Sequence, residues 1–232
     1  MPARAPLSAG IGRKGTIIAV SIPNGSTYAV ASAYAAAVSV TAASNATECV
    51  LTTAANTYAT GDFLEFTSGW PRANMRIFRV KAATGTTVTL EAFDTTSTKI
   101  FPAGAGVGSV RKISTWTPIP FMKAFEVSGG DPKFNTEEYL DYPDEISMPN
   151  GFSATTVTMT IADDPTLPHH AVLLAATDAG TPTAVKVNLP SGAPILYNGY
   201  AAFNPNPAMT KGQGMTVKCG LALQGRVVRY AS

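Results

Sequence analysis

Residues able to do chemistry are few in this chain, and their spacing argues against most of it. His169 and His170 are its two histidines. Neighbouring positions on a helix point about 100° apart, so this pair cannot chelate one metal as an i, i+4 pair would. A place on a helix face, or a cap, is the expectation. Asp163 and Asp164 could pose as paired carboxylates, yet adjacent acids ahead of a helix are ordinary partners of its dipole. Gly104, Gly106 and Gly108 have the look of a phosphate loop. Their spacing misses the dinucleotide fingerprint and no strand–helix units accompany them, so a turn is expected. Cys49 and Cys219 give neither a disulfide framework nor a metal-ligand spacing. Each reads as a buried thiol in a protein made in a reducing compartment. The sequons at Asn24 and Asn45 come without a secretory signal, and Asn24-Gly25 reads as a tight turn. No Ser/His/Asp or Cys/His set falls in a plausible context, so no enzyme, metal or cofactor is expected.

The elements that would have to position such groups are strands. Val157, Met159 and Ile161 alternate with Thr156, Thr158 and Thr160. The same rhythm recurs at Val185, Val187 and Leu189, and at Met215, Val217, Cys219, Leu221 and Leu223. Such segments are half-buried antiparallel strands. Residues 15–21 and 120–127 fit the template less cleanly. One segment breaks it. After Asp163-Asp164-Pro165, residues Leu167, Ala171, Leu174 and Ala175 recur at helical spacing until Gly180-Thr-Pro. This predicts one short helix covering a face of the sandwich.

Residues 31–115 have their own grammar. Short strands are expected at 49–52, 62–67, 76–81 and 86–92, with turns at Gly61, Gly69, Gly85 and Gly104–Gly108. That is the pattern of a small β-barrel inserted between longer strands. The Ala-rich start at 31–38 suits strand or helix equally. Within the barrel, Arg72, Arg76, Arg79 and Lys81 have no acid among their ten residues. They form either a solvated face or a contact for an acidic neighbour.

Charged residues make up 14% of the chain and the net charge is +2, which gives no global case for nucleic acid or anionic membrane. The longest apolar run, at 28–43, is too short and too polar to cross a bilayer. The acids are unevenly spread. Six of fifteen (Asp131, Glu137, Glu138, Asp141, Asp144 and Glu145) fall between Ser128 and Asn150. Phe134, Tyr139, Leu140, Tyr142 and Ile146 interleave with them. A connection of about twenty residues between strands is functional or disordered far more often than it is a plain hairpin. Aromatic anchors among carboxylates suit an arm that orders on docking. The expected contact residues are Asp131, Phe134, Glu137, Glu138, Tyr139, Asp141, Tyr142, Asp144 and Glu145.

The order of segments carries a resemblance. A leader ends in Gly12-Arg-Lys-Gly-Thr-Ile-Ile-Ala-Val, and Trp116-Thr-Pro-Ile-Pro introduces the acidic arm with Glu138-Tyr-Leu-Asp-Tyr-Pro-Asp. The Thr-alternating strand follows, then a helix ending Leu173-Leu174-Ala-Ala-Thr-Asp-Ala-Gly180, and Ala184-Val-Lys-Val-Asn-Leu-Pro-Ser-Gly192. This resembles the tail tube, or major tail, proteins of lambda-like phages with long non-contractile tails. The insert, with Asn56-Thr-Tyr-Ala-Thr-Gly-Asp-Phe-Leu-Glu-Phe, resembles a small β module of phage tail proteins.

The resemblance implies a mainly β fold: a tail-tube sandwich or barrel core at 1–30 and 116–232 with one packed helix, and an inserted β-barrel module at 31–115. It implies an N-terminal arm at 1–14 and an extended arm at 128–150. It further implies a virion protein, made in the host cytoplasm, that stacks as homo-hexameric rings into a hollow tail. Its partners would be itself, a tape measure protein, a tail terminator and distal tail proteins. DNA would pass the lumen without specific binding, and no membrane is involved. The alternatives are a terminator or tip ring, or a host-surface glycan-binding module whose platform would be Trp70 or Phe101.

Overall fold

The computed structural model describes residues 23–231. The strand expected at 15–21 and the arm at 1–14 lie outside the described residues. The chain enters through a tight turn in which Ser26 N–H donates to Pro23 O, with Gly25 at φ 87°, as Asn24-Gly25 suggests.

Seven strands come first: β1 (Thr27–Tyr34), β2 (Val38–Ala43), β3 (Val50–Thr53), β4 (Phe63–Ser68), β5 (Arg76–Ala83), β6 (Thr87–Leu90) and β7 (Gly108–Pro118). Strands β2 to β7 pair in the order β2-β3-β6-β5-β4-β7, and β7 pairs back to β2 through Val38↔Val110. The ring is therefore closed and leaves no sheet edge. The Ala-rich stretch is extended, in β1 and β2. The far half of β7 leaves the barrel and pairs with β1, which carries the sheet onward to β12 (Pro182–Asn188), β13 (Pro194–Ala208), β14 (Thr216–Leu223), β11 (Thr156–Ala162) and β8 (Met122–Ser128). A short β15 (Val228–Arg229) pairs the start of β13. Between β8 and β11 run β9 (Pro132–Glu137) and β10 (Ile146–Phe152), which pair with each other.

Two apolar cores result. One fills the barrel around Leu51, Phe66, Trp70, Phe78 and Leu90. The other lies on one face of the sheet, where Val157, Met159, Ile161, Val217, Cys219 and Leu221 point inward as their alternation demands. Both cysteines are buried free thiols.

Helix α1 (Pro168–Ala179) starts on a proline and stops at Gly180, whose left-handed φ of 57° lets its N–H reach Thr177 O. It buries His169 and Leu173, whereas Ala171, Leu174 and Ala175 of the expected face are exposed. Thr177 decides the rotation. Its hydroxyl donates to Leu173 O at 2.8 Å and accepts from Phe203 N–H at 3.0 Å, so that side of the helix is held against β13.

Candidate functional site

The acidic stretch is a projecting β-ribbon. Gly129 and Gly130 launch it at φ 81° and 83°, where a side chain would be strained, and a Cβ on Gly129 would meet Ala154 O at 2.0 Å. Asp131 and Ser153 exchange hydrogen bonds at its root. The register runs Pro132↔Phe152, Phe134↔Pro149, Thr136↔Ser147 and Glu137↔Ile146. The arm expected to order on docking is thus a paired ribbon within its own chain, its two feet held in register by β8 and β11.

The alternation gives the ribbon two unlike faces. Pro132, Phe134, Pro149 and Phe152 share one; Asn135, Glu137, Ile146 and Met148 share the other. Among the described residues both faces stay largely open: Phe134 is 60% exposed, Phe152 58% and Leu140, at the tip, 112%. Tyr139 and Tyr142 flank Leu140 through a turn in which Tyr142 N–H donates to Tyr139 O. All nine expected contact residues lie on this ribbon or its tip. A lone hairpin in water is marginal, so exposed aromatics on one mark an interaction surface.

Charge is distributed in the same uneven way. The four ion pairs among the described residues, Arg79–Glu91, Lys81–Glu48, Arg111–Glu65 and Lys112–Asp62, all lie within the barrel. Arg79 and Lys81 are therefore neutralised by acids far along the chain, and the basic group is not one free face. Hydrogen bonding to Arg79 holds the Glu91 carboxyl below the usual range. Arg76 differs. Its guanidinium lies over Phe78 and Phe93, at 5.0 and 5.4 Å, with a buried Nε that has no partner among the described residues. Burial pulls its pKa down to about 10, and the nearby Arg226 contributes to the fall. None of the arm's carboxylates is ion-paired among the described residues.

A cavity of about 380 Å³ opens at the foot of the ribbon, lined by Phe152, Ala154, Thr155, Leu223, Gly225, Arg226 and Val227 among others. Arg226 stacks on Phe152 at 5.0 Å. Gly225 abuts the barrel so closely that a Cβ there would meet Met75 O at 2.5 Å and Arg76 Cγ at 3.0 Å.

The sheet face opposite α1 is open and made of small residues. Its rows read Ser128–Thr156–Ala222–Tyr200, Glu126–Thr158–Gly220–Ala202 and Ala124–Thr160–Lys218–Asn204. Only Glu126 and Lys218 carry charge across the three rows. Beyond them β8 has one edge that is unpaired among the described residues, and Phe121 beside it is 68% exposed in a left-handed conformation, φ 56°. Such strain on a non-glycine residue is a mark of functional surfaces.

The remaining candidates resolve into structure. His169 is buried at the start of α1, and His170 packs edge-on against Phe203 at 4.8 Å. No group of acids, histidines and cysteines among the described residues is placed to hold a metal. Gly104 lies in a turn closed by Ala105 N–H donating to Pro102 O, and Gly106 follows it where a Cβ would meet Trp70 at 2.8 Å. Asn45 donates from its side chain to Thr95 O and Phe101 O, bracing a barrel loop. Trp70 and Phe101, the candidate glycan platform, are barrel core instead, 0% and 7% exposed. The Trp70 indole donates to Pro102 O at 2.8 Å and its ring meets Phe101 edge-on. A closed barrel needs bulky interior fill, and these two rings provide it. No helix among the described residues is long and apolar enough to cross a membrane.

No curated protein gives a match to the chain. A sequence model of a family does: it covers residues 68–232, from within the barrel through the arm, the helix and the open-faced sheet. With most of its length matched by the family described as phage tail tube protein, this chain belongs to that family of structural phage tail components.

Proposed function

We propose that this chain is the major tail tube subunit of a siphophage-type virion. Copies assemble into rings, six to a ring, and the rings stack into a hollow tube through which DNA leaves the virion. The tape measure protein, the terminator and the distal tail proteins are its expected partners. We assign the tube core to 1–30 and 116–232 and the inserted module to 31–115.

The projecting ribbon carries this reading. It exposes aromatic side chains, and carboxylates with no ion partner among the described residues, to water without serving the core of its own chain, which is what a segment made for another copy does. Two further features support it. The edge of β8, unpaired among the described residues, is a hazard unless a neighbour's strand covers it. The small, nearly uncharged rows of the open face suit a wall that DNA slides past, since a binding groove would be basic.

Negative-stain images of the concentrated protein should show stacked rings or tubes. Deleting residues 131–145 should leave a soluble, folded chain that no longer polymerises. Tubes of normal length from the deletion variant would remove the arm from assembly. A protein that stays monomeric at high concentration and on tail-tip templates would overturn the tube reading itself.

A further inference from the structure

We propose that the tip of one copy's ribbon docks into the cavity at the foot of another copy's ribbon, with Leu140 entering the cavity and the flanking carboxylates meeting Arg226 and Arg76; this presupposes the self-assembly set out above. The two surfaces are complementary. The tip, from Glu137 to Glu145, holds five acids and no base around a fully exposed leucine and two tyrosines. The cavity has an apolar lining from Phe152, Ala154, Leu223 and Val227, with Arg226 on its wall.

Arg226 and Arg76 form an uncompensated pair. Neither has a carboxylate within the chain among the described residues, and the buried Arg76 Nε has no acceptor. Two neighbouring guanidinium groups repel each other until an anion sits between them. Gly225 brings them together by letting the backbone before Arg226 lie directly on Met75 and Arg76. The barrel and the loop after β14 thereby bring two guanidinium groups from distant parts of the sequence together beside the cavity.

The occupant has to be a second copy. Strands β9 and β10 carry the tip about 20 Å from the root at an ordinary strand rise. A tip cannot fold back to its own foot without breaking the ribbon's pairing. The contact joins unlike surfaces, so each copy offers one tip and one cavity, and the contact propagates from copy to copy.

Cross-linking tests this directly. Chains carrying Leu140→Cys are mixed with chains carrying Val227→Cys, or Thr60→Cys on the barrel as a control; the native cysteines are buried. Oxidation should join Leu140→Cys to Val227→Cys chains and leave the control mixture largely unlinked. Equal cross-linking in both mixtures overturns the docking. In assembly, Arg226→Glu should raise the critical concentration about tenfold, and adding Glu138→Lys and Asp141→Lys to the same chain should restore most of it. Arg226→Glu chains that assemble at the parent's concentration also overturn the docking while leaving the tube reading intact. Should the parent form no tubes, that reading fails, and the cross-linking still decides between tip-to-foot contact and none.

Discussion

His169 shows how a side chain buried in the fold can look like a site. It is 1% exposed, with an Nδ1 that has no hydrogen-bond partner among the described residues. Burial holds its pKa below the ordinary value, His170 adds to the fall, and Asp164 opposes it. The unfolded chain therefore binds a proton more readily, beginning near the usual histidine value of about 6.5. Stability from a neutral His169 is complete above that value, and falls as the pH drops toward the folded value. The urea midpoint of the parent should decline between neutral and mildly acid pH more steeply than that of a His169→Leu variant. Parallel declines in the two proteins would show that His169 stays neutral for another reason, or does not matter. His169 thus belongs to the buried face of α1 rather than to a ligand set.

At the scale of elements, α1 and the ribbon make opposite use of apolar side chains. Helix α1 turns Leu173 fully inward, 0% exposed, against the sheet. Truncation there removes buried methyl groups and leaves a void, so Leu173→Ala should cost about 3 kcal/mol in chemical denaturation. A loss under about 1 kcal/mol would mean that the helix is loosely held, since exposed sites typically change stability this little. The ribbon turns comparable side chains outward. Its alternation sorts Phe134 and Phe152 from Met148 and Ile146, which readies two faces for different neighbours. The same 12- and 33-residue separations that tie Arg79 to Glu91 and Lys81 to Glu48 explain why the basic stretch was not a free patch. Strand pairing places those acids beside it.

Barrel and sheet are fastened together as one molecule by two tyrosines and a buried carboxylate. The Tyr34 hydroxyl accepts from Ala184 N–H at 2.9 Å, and the Tyr230 hydroxyl accepts from Arg79 N–H at 2.7 Å. Between them Glu65, 2% exposed, holds Arg111 and accepts from Asn198. Burial pushes both phenols up to about 12. In the unfolded chain they ionise near their ordinary value of about 10. The stability they confer is whole below that lower value and is lost as the pH climbs through the upper one. Near-UV circular dichroism and phenolate absorbance should therefore change together between these limits, with barrel and sheet opening in one transition. Ionisation of both phenols near the ordinary value with structure intact would disprove the fastening.

Alternation along the chain was enough to place most strands of the barrel and the sheet. A half-buried strand writes its two environments into every second residue, as Val157, Met159 and Ile161 do against Thr156, Thr158 and Thr160. Turn chemistry at Asn24-Gly25 and Gly180 was legible for the same local reason. Four features were not. The ribbon strands bury no face and so leave no apolar rhythm to read. The long β7 serves two cores in succession, which blurs its period. Trp70 and Phe101 could be surface or core until a closed barrel enclosed them. The rotation of α1 depended on a hydrogen bond from Phe203 to Thr177 that no local pattern encodes. The sequence alone determined strand-forming segments, one helix and an acidic aromatic arm. Only the tertiary structure decided which charges remain unpaired and where the arm's foot opens a cavity, because both depend on residues that strand pairing brings together from distant parts of the chain.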